Sequence, residues 1–269
     1  METLLALRAS VLSFAYRRIL KPLFFLMDPE RDHDMMLTRG AKLGKSKAGR
    51  RLTRLAFHYE HPALVQTVAG LHFSNPIGLA AGFDKDAKLT QIIGEVGFGF
   101  AEVGSVTGES CTGNPGHHIW RLKRSKSIVV NYGLKNVGAE VVSNCLSDLV
   151  FDIPIGISIA KTNTAATIPE DRGIADYVKA YAAFAVKKVG AYVTVNISCP
   201  NACGGQPFTE PQALSRLLAA LAAVRQRYGD SRPWFLKLSA DLYPASLDAI
   251  IEVARSYGIT GFICSNLTK

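Results

Sequence analysis

Apolar and polar positions follow a repeating pattern from about residue 75 to the end of the chain. Short segments rich in Val, Ile and Leu alternate with longer amphipathic segments at 174–190, 211–229 and 246–258, each of which ends at a glycine, as helices often do. Strands that alternate with helices predict a parallel sheet. The pattern predicts six strands, at 76–82, 101–106, 155–160, 192–198, 235–239 and 261–266.

Residues 1–60 have a different pattern. Apolar residues recur at roughly helical spacing over residues 4–20, and Pro22 is predicted to end this helix because it lacks the N–H that a continuing helix needs. An apolar tip, LFFLM, follows at 23–27. A basic amphipathic helix is typical of an element that lies on a membrane surface. The alternatives are an arm packed on its own domain and an oligomer contact. Four cations interrupt the helix: Arg8, Arg17, Arg18 and Lys21.

Positive charge is concentrated in this front segment. The chain carries a net charge of +9, and residues 1–60 contain 12 Lys and Arg against 6 Asp and Glu. Residues 39–54 are predicted to form a basic, solvated linker. Their GAKLGKS is one residue too short for a phosphate loop and follows no strand. Because no aromatic residues are interleaved with these cations, we expect no nucleic-acid partner.

The cysteines and the hydropathy exclude several classes. Five cysteines without a framework spacing are typical of a reducing compartment. Cys199 and Cys203 form a lone CxxxC with no second pair and no nearby histidine, so no metal site is expected. No apolar run reaches the roughly 18 residues of a membrane span.

Polar residues follow every predicted strand, as AGFDKD, GSVTGE, IAKTN, NISCPN, KLSAD and SNLTK. In a parallel barrel the carboxyl ends of all strands share one face, which carries the chemistry, whereas a doubly wound sheet concentrates ligand contacts at one switch point. The distribution therefore favours an α/β fold of the (β/α)8 TIM barrel type. Only about six βα units are present, in addition to the N-terminal helical arm, so we expect an incomplete barrel.

Several blocks resemble the dihydroorotate dehydrogenase family, the flavin enzymes of pyrimidine synthesis. These blocks occur in the family's order and cover most of residues 70–269. A further block, LMDPERDHD, resembles the membrane-associated, quinone-dependent class, in which extra N-terminal helices form the quinone entrance. The six body blocks are SNPIGLAAGFDKDA, GFGFAEVGSVT, GNPGHHIWRL, VTVNISCPNACG, FLKLSADL and ICSNLTK.

The resemblance implies FMN-dependent oxidation of dihydroorotate to orotate in de novo pyrimidine biosynthesis, with electrons passed to a membrane quinone. It implies a peripheral membrane protein on the cytoplasmic side of the inner membrane, or on the mitochondrial inner membrane in a eukaryote. Residues 1–60 would form the membrane- and quinone-associated segment with its basic linker. Residues 61–269 would form the flavin-binding barrel, which looks truncated at its C-terminus.

The resemblance also implies a set of binding residues. Asparagine suits the amides of a pyrimidine because it offers donors and an acceptor without charge, although single asparagines are more often found in turns. Lys237 lies in a short apolar strand, where an unpaired ammonium is costly, and this favours a role beside the reduced flavin over a surface position. The implied FMN contacts are Ala81, Gly82, Lys85, Ser105, Ser158, Asn196, Lys237 and Ser265. The implied substrate contacts are Lys85, Asn131, Asn136, Asn196, Asn201 and Asn266.

Cys199, immediately before Pro200, matches the position of the family's catalytic base. Its thiolate would remove the C5 proton of dihydroorotate while a hydride leaves C6 for the flavin. The alternative is a small buried apolar residue, which is the commoner fate of a free cysteine.

The chain departs from the family pattern at several positions. The quinone-dependent class usually has serine where this chain has Cys199, and the soluble class has cysteine. Ser158 replaces an asparagine, Leu267 replaces a hydroxyl residue, and NYGLKNVG is one residue short, which affects the placement of Asn131. The family's phosphate-binding loops follow strands seven and eight. Two alternative functions are a related flavin barrel that reduces a uracil-type base, similar to dihydrouridine synthase, and a non-catalytic barrel fragment.

Overall fold

The computed structural model describes residues 2–268, and residues 2–57 form a helical N-terminal arm. Its helices are α1 (Glu2–Ala15), which continues through a π-helical turn (Tyr16–Leu20) into α2 (Lys21–Phe24), then α3 (Pro29–Lys45) and α4 (Lys47–Phe57). The prediction that the first helix ends at Pro22 is wrong. Pro22 lies in the first turn of α2, where a missing N–H costs little, so the chain remains helical to Phe24.

The prediction of a solvated linker at residues 39–54 is also wrong, because these residues belong to α3 and α4. Ser46 separates the two helices, and its hydroxyl caps α4 by accepting a hydrogen bond from the N–H of Gly49 at 3.1 Å. Gly44 lets α3 approach the body closely, since a Cβ there would lie 3.3 Å from the Cβ of Gln91. The glycines of this segment are therefore packing positions rather than flexible ones.

The body contains ten strands and four further helices. The strands are β1 (Gln66–Val68), β2 (Leu71–Phe73), β3 (Gly78–Leu79), β4 (Phe100–Val106), β5 (Ile119–Leu122), β6 (Ser127–Val130), β7 (Ile155–Ile159), β8 (Tyr192–Asn196), β9 (Trp234–Lys237) and β10 (Gly261–Ile263). The helices are α5 (Ala139–Ser147), α6 (Glu170–Lys187), α7 (Pro211–Tyr228) and α8 (Pro244–Ser256).

Six strands form one parallel sheet in the order β3–β4–β7–β8–β9–β10. All six predicted strands and the three predicted helices are thus confirmed. Helix α5 and the antiparallel hairpins β1–β2 and β5–β6 were not predicted. Within residues 2–268, β3 and β10 are the edge strands of the sheet. Among the helices of this part of the chain, none is both long enough and apolar enough to cross a membrane.

The main core lies between the sheet and the helices that cover it. Apolar residues of β7, β8 and β9 pack against α6 and α7, and the Tyr181 and Trp234 rings meet edge to face with centroids 5.2 Å apart. Continuous apolar runs suit strands whose two faces are both covered. The largest fully buried side chains are Trp234, Tyr181, Phe184, Leu146, Ile155, Ile157, Ile159, Leu214, Leu217, Leu218, Leu221 and Leu236.

The other face of the sheet is filled with aromatic rings near the amino ends of the strands. Each of three aromatic rings lies across a glycine on the neighbouring strand. In each case the glycine is the residue paired with the aromatic residue in the strand register. A Cβ on Gly156 would lie only 2.1 Å from Cζ of Tyr192, so glycine makes the space that the ring occupies. Because these rings fill the space near the amino ends, a cavity lined by polar side chains can form only nearer the carboxyl ends of the strands. The pairs are Gly78 with Phe100, Gly156 with Tyr192, and Gly261 with Phe235.

Candidate active site

A cavity of about 110 Å³ opens at the carboxyl ends of the parallel strands. Nine of the residues implied by the family resemblance line it, although they come from segments up to 185 positions apart in the chain. The shared face of a parallel sheet brings such distant strand ends together. The nine are Ala81, Gly82, Lys85, Ser105, Asn196, Cys199, Asn201, Lys237 and Asn266.

Four implied residues do not line this cavity. Ser158 is fully buried behind Ser105, with the two hydroxyl oxygens 2.7 Å apart. Ser265 is exposed. Asn136 accepts a hydrogen bond from the Gly138 N–H and donates to Thr107 and Leu134, which uses its amide within the protein. The side chain of Asn131 accepts a hydrogen bond from Asn114.

The floor of the cavity is bare backbone. Gly82 and Gly104 have φ values of +109° and +114°, a region that side chains disfavour, and the Gly82 N–H donates to the Gly104 carbonyl at 2.7 Å. A Cβ on Gly82 would meet no atom within 4 Å, so the space above it is open. Gly82 therefore presents bare backbone that a planar ring could contact.

Asn196 ends β8 and is held on three sides. Its Nδ2 donates to the Ser105 hydroxyl at 2.7 Å, and its Oδ1 accepts from the backbone and hydroxyl of Ser198 at 3.0 and 2.8 Å. The buried Tyr177 hydroxyl donates to its carbonyl at 2.6 Å. Asn196 is only 5% exposed, and these hydrogen bonds fix its side-chain rotamer. The second N–H of its side-chain amide therefore points in one direction.

Cys199 lies in the turn that follows β8 and is half-buried. Burial raises the pKa of its thiol, whereas the hydrogen bond with Asn201 and the positive charges of Lys237 and Lys161 oppose that shift. The resting group is therefore a neutral thiol, and the thiolate becomes more populated as the pH rises.

Lys161, which was not singled out from the sequence, supports the same turn. It is 4% exposed and donates from Nζ to the Cys203 carbonyl at 2.8 Å. The sequence signal was present, since Lys161 ends the apolar strand segment GISIA.

Lys237 is the last residue of β9 and stands opposite Asn196 in register. It is 7% exposed, and its positive charge acts on the buried carboxyl of Glu102 in β4. Burial raises the pKa of Glu102, while Lys237 and hydrogen bonds from Thr194 and Tyr192 act in the opposite direction. The charge of Lys237 therefore acts on a buried carboxyl group of the same sheet. Glu102 was missed, although a carboxylate inside the apolar strand FAEV was a usable signal.

Lys85 and Tyr132 form the side of the cavity. The Lys85 ammonium lies 3.4 Å from the centroid of the Tyr132 ring, and burial lowers the pKa of Lys85 to about 8. Burial and the acidic residues of the arm raise the pKa of Tyr132 to about 12. Within residues 2–268, the buried Tyr132 hydroxyl has no hydrogen-bond partner. The Tyr132 hydroxyl is therefore a neutral donor that no described residue accepts.

An asparagine cluster, formed by Asn114, Asn131, Asn163 and Asn201, connects four loops beside the cavity. Nδ2 of Asn114 donates to Oδ1 of Asn131 at 2.8 Å and to the Asn201 carbonyl at 3.2 Å, while its Oδ1 accepts from Asn163 at 2.8 Å. Asn201 in turn donates to the Val130 carbonyl. Asn114 and Asn163 were not predicted. Both carry polar side chains in the quoted motifs, but only the structure shows that they hold the others.

A second, larger space adjoins the cavity. This apolar groove, of about 940 Å³, lies between the arm and the hairpin β5–β6, and its lining includes Phe24, Met36 and Ile128. The arm is fixed across it by Arg121, which donates to Asp32 and to the Phe24 and Met27 carbonyls. The groove and the cavity are continuous, since six residues line both: Ala81, Gly82, Val130, Tyr132, Asn266 and Leu267.

Comparison with known proteins identifies the family of the chain that forms this site. Residues 63–269 match the family model described as dihydroorotate dehydrogenase. The chain belongs to the dihydroorotate dehydrogenase family. Two curated relatives named dihydroorotate dehydrogenase (quinone) are those of Roseiflexus sp., 35% identical over 93% of this chain and 68% of the relative, and of Sphingopyxis alaskensis, 37% identical over 98% and 70%.

Solved dihydroorotate dehydrogenase structures share the fold. The Eimeria tenella enzyme in complex with ferulenol superimposes with a TM-score of 0.76 at 26% identity, over 90% of this chain and 67% of the other. The ligand-free enzyme from the same organism gives 0.71 at 27% identity, over 90% and 69%. The arm, the sheet and the helices described above are thus arranged as in dihydroorotate dehydrogenases.

Proposed function

We propose that this protein oxidises dihydroorotate to orotate with FMN as cofactor, in pyrimidine biosynthesis, and passes the electrons to a quinone. The observation that carries the proposal is the meeting of Cys199, Lys237 and the asparagines at one cavity that continues into the apolar groove. A polar pocket suits a pyrimidine carboxylate, and an apolar groove suits a quinone ring and its tail.

The residues at the floor and sides of the cavity fit a flavin. Ala81 and the bare backbone of Gly82 would contact the ring face, Ser105 and Asn196 would hydrogen-bond its edge, and Lys237 would balance negative charge. When bound, the flavin would accept a hydride and later release electrons to the quinone.

The chain's own residues supply the proton chemistry and the positioning. Cys199 would take the C5 proton as a thiolate, which Lys237 and Lys161 stabilise through their charges. Asn201 and Asn266 would orient the ring amides, and Lys85 would bind the carboxylate. The asparagine cluster holds these loops so that the reacting carbons face the thiolate.

The test uses the purified full chain and its visible absorption spectrum. We expect a flavin band that bleaches on anaerobic addition of dihydroorotate and returns on addition of a short-chain ubiquinone. Bleaching that only fumarate or NAD⁺ reverses would overturn the quinone assignment. A flavin that free dihydroorotate leaves oxidised would favour a related barrel that acts on a uracil-type base. Failure to retain any flavin after incubation with FMN would favour a non-catalytic fragment.

The steady-state kinetics are expected to depend on pH in two ways, one through turnover and one through the KM for dihydroorotate. Turnover per bound substrate should rise with pH as the Cys199 thiol ionises, because its pKa is raised by burial. The KM for dihydroorotate should increase above pH 8, because Lys85, whose pKa is lowered to about 8, then loses its charge. Steady-state kinetics of Lys85→Arg against pH should lack only this alkaline rise in KM. A wild-type KM that stays constant to pH 10 (about two units above that pKa) would contradict the role of Lys85.

We further propose that residues 1–60 are the membrane- and quinone-associated segment and residues 61–269 the flavin-binding barrel. The protein would be peripheral, on the cytoplasmic side of the inner membrane or on the mitochondrial inner membrane. Large apolar side chains of the arm support this, since Leu4, Leu7, Val11 and Phe14 are 72%, 60%, 58% and 65% exposed and several arginines flank them.

Co-sedimentation of the full chain with anionic vesicles is the measurement for this surface. The triple variant Leu4→Ser, Leu7→Ser, Val11→Ser should bind about tenfold or more weakly, because it removes three large exposed apolar side chains that would enter the membrane. The variant Val150→Ser, at a side chain that is 85% exposed in the body, is the matched control. Equal loss of vesicle binding in both variants would contradict the proposed membrane surface.

A further inference from the structure

The buried side chain of His118 is held by an acceptor at each ring nitrogen. Nδ1 lies 2.7 Å from Oε1 of Glu30 in α3, and Nε2 lies 2.7 Å from the backbone carbonyl of Asn114. A neutral imidazole has a single N–H, and a carbonyl oxygen can only accept. Satisfying both contacts with an ionised Glu30 therefore requires an imidazolium, which donates at both nitrogens.

Glu30 is ionised in this arrangement. Burial by itself would raise the pKa of Glu30, but the hydrogen bond and charge of His118, together with the charge of Lys135, lower it below the ordinary value. The pair is thus a charge-assisted contact between the arm and the body. Because His118 is only 8% exposed, water is a poor substitute for either partner.

The imidazolium touches three parts of the molecule that function together. Glu30 belongs to the arm, and Asn114 is the central member of the asparagine cluster. The His118 ring also stacks on Tyr132, with centroids 5.0 Å apart and planes 5° from parallel. The Lys85 ammonium lies over the same Tyr132 ring.

We propose that His118 is a positively charged positioning residue that couples the seating of the N-terminal arm to the order of the substrate-binding asparagines. The coupling to substrate rests on the proposed function, whereas the contact with the arm does not. Both contacts depend on the same imidazole ring, so the arm and the asparagine cluster are held through one side chain.

The charged and titratable groups around His118 and its partners come from several elements. Glu30 and Tyr132 contact His118 itself. Asp28 lies near the neighbouring His117, while His33 and Lys85 lie against the Tyr132 ring. The charge of Asp34 acts on Tyr132, and the charge of Lys135 acts on Glu30. His117 differs from His118, since its side chain is 39% exposed. Its Nε2 lies 3.5 Å from the Asp28 carboxylate, which is longer than either contact of His118. His117 is therefore a matched control.

The experiment uses the full chain with FMN and compares wild type, His118→Phe and His117→Phe. Phenylalanine keeps the aromatic ring beside Tyr132 but removes both hydrogen bonds. We expect His118→Phe to weaken orotate binding and to raise the KM for a short-chain ubiquinone, each about tenfold or more, the size expected for loss of a hydrogen bond to a charged group. The values of His117→Phe should stay within about twofold of wild type, the range of an ordinary surface substitution.

Hydrogen exchange of the arm, measured without substrate, provides the second readout. We expect His118→Phe to lower the protection of residues 23–37, whereas His117→Phe should leave that protection at the wild-type level. If His118→Phe does not fold, Glu30→Gln replaces it and should lower the same protection, because it removes the anion that holds the ring.

The outcomes separate the two proposals. A rise in the quinone KM alone, or arm protection in His118→Phe equal to that of wild type, would overturn the coupling. Absence of orotate binding in wild type, with arm protection still dependent on His118, would instead overturn the proposed substrate.

Discussion

Replacing Cys199 with alanine is expected to slow reduction of the bound flavin by dihydroorotate about 10²–10⁴-fold, the usual contribution of a positioned general base. Cys199 lines the cavity with Lys237 and Asn196, and its thiolate is the proton acceptor of the proposed reaction. Flavin content should remain at the wild-type level, because alanine removes only the sulfur atom and keeps the backbone turn. Anaerobic stopped-flow measurement of flavin bleaching gives the rate directly.

Cys203→Ala is the matched control for this variant. Cys203 is half-buried in the same turn, but only its backbone is used, as an acceptor for Lys161 and a donor to Asn163. Its replacement should therefore leave the rate of bleaching unchanged. Cys199→Ser should retain part of the activity, with a pH profile displaced to higher pH because a hydroxyl ionises less readily than a thiol. A Cys199→Ala protein that bleaches at the wild-type rate would remove Cys199 from the mechanism.

Replacing Lys237 with methionine is expected to reduce the rate of flavin reduction about 10²–10³-fold, as loss of one preorganised charged donor typically does. Methionine preserves length and apolar packing but removes the ammonium. The same change removes the positive charge that opposes the effect of burial on the Glu102 carboxyl, so some loss of stability is expected beside the loss of rate.

The pH dependence of stability identifies the origin of that loss. The folded-state pKa of Glu102 is already raised, and removal of Lys237 raises it further. Both folded proteins keep a proton that the unfolded chain releases above about pH 4.3, so both lose stability as the pH rises from there. The loss should continue to higher pH in Lys237→Met than in wild type, because its Glu102 pKa is raised further. Urea unfolding of Lys237→Met at several pH values measures this trend.

The double variant Lys237→Met, Glu102→Gln separates structure from catalysis. A neutral amide in place of the carboxyl should restore the free energy of unfolding, because no buried charge then lacks a partner. Flavin reduction should remain slow, since the cation beside the cavity is still absent. Recovery of both stability and rate in the double variant would show that Lys237 serves only to neutralise Glu102.

Local sequence patterns determined the body of the fold. Strands with both faces covered must be apolar throughout, so segments such as the one containing Val193 and Val195 were recognisable without any long-range information. Amphipathic spacing and terminal glycines identified α6, α7 and α8 in the same way. The polar ends of those strands, including Asn196, Cys199 and Lys237, were predicted to meet because parallel strand ends share one face, and the structure places all three at one cavity.

Only the tertiary structure decided how the arm folds and what each charged group pairs with. Gly44 looks like a helix breaker in the sequence, but it is the point where α3 contacts the body at Gln91. His118 and Glu30 are 88 positions apart, and the separation of Glu102 from its hydrogen-bond partner Thr194 is 92. The periodicity of apolar residues along the chain predicts whether a residue is buried, because burial depends on which face of its own strand or helix the residue occupies. The identity of its partner depends on how distant elements pack, which no local pattern contains.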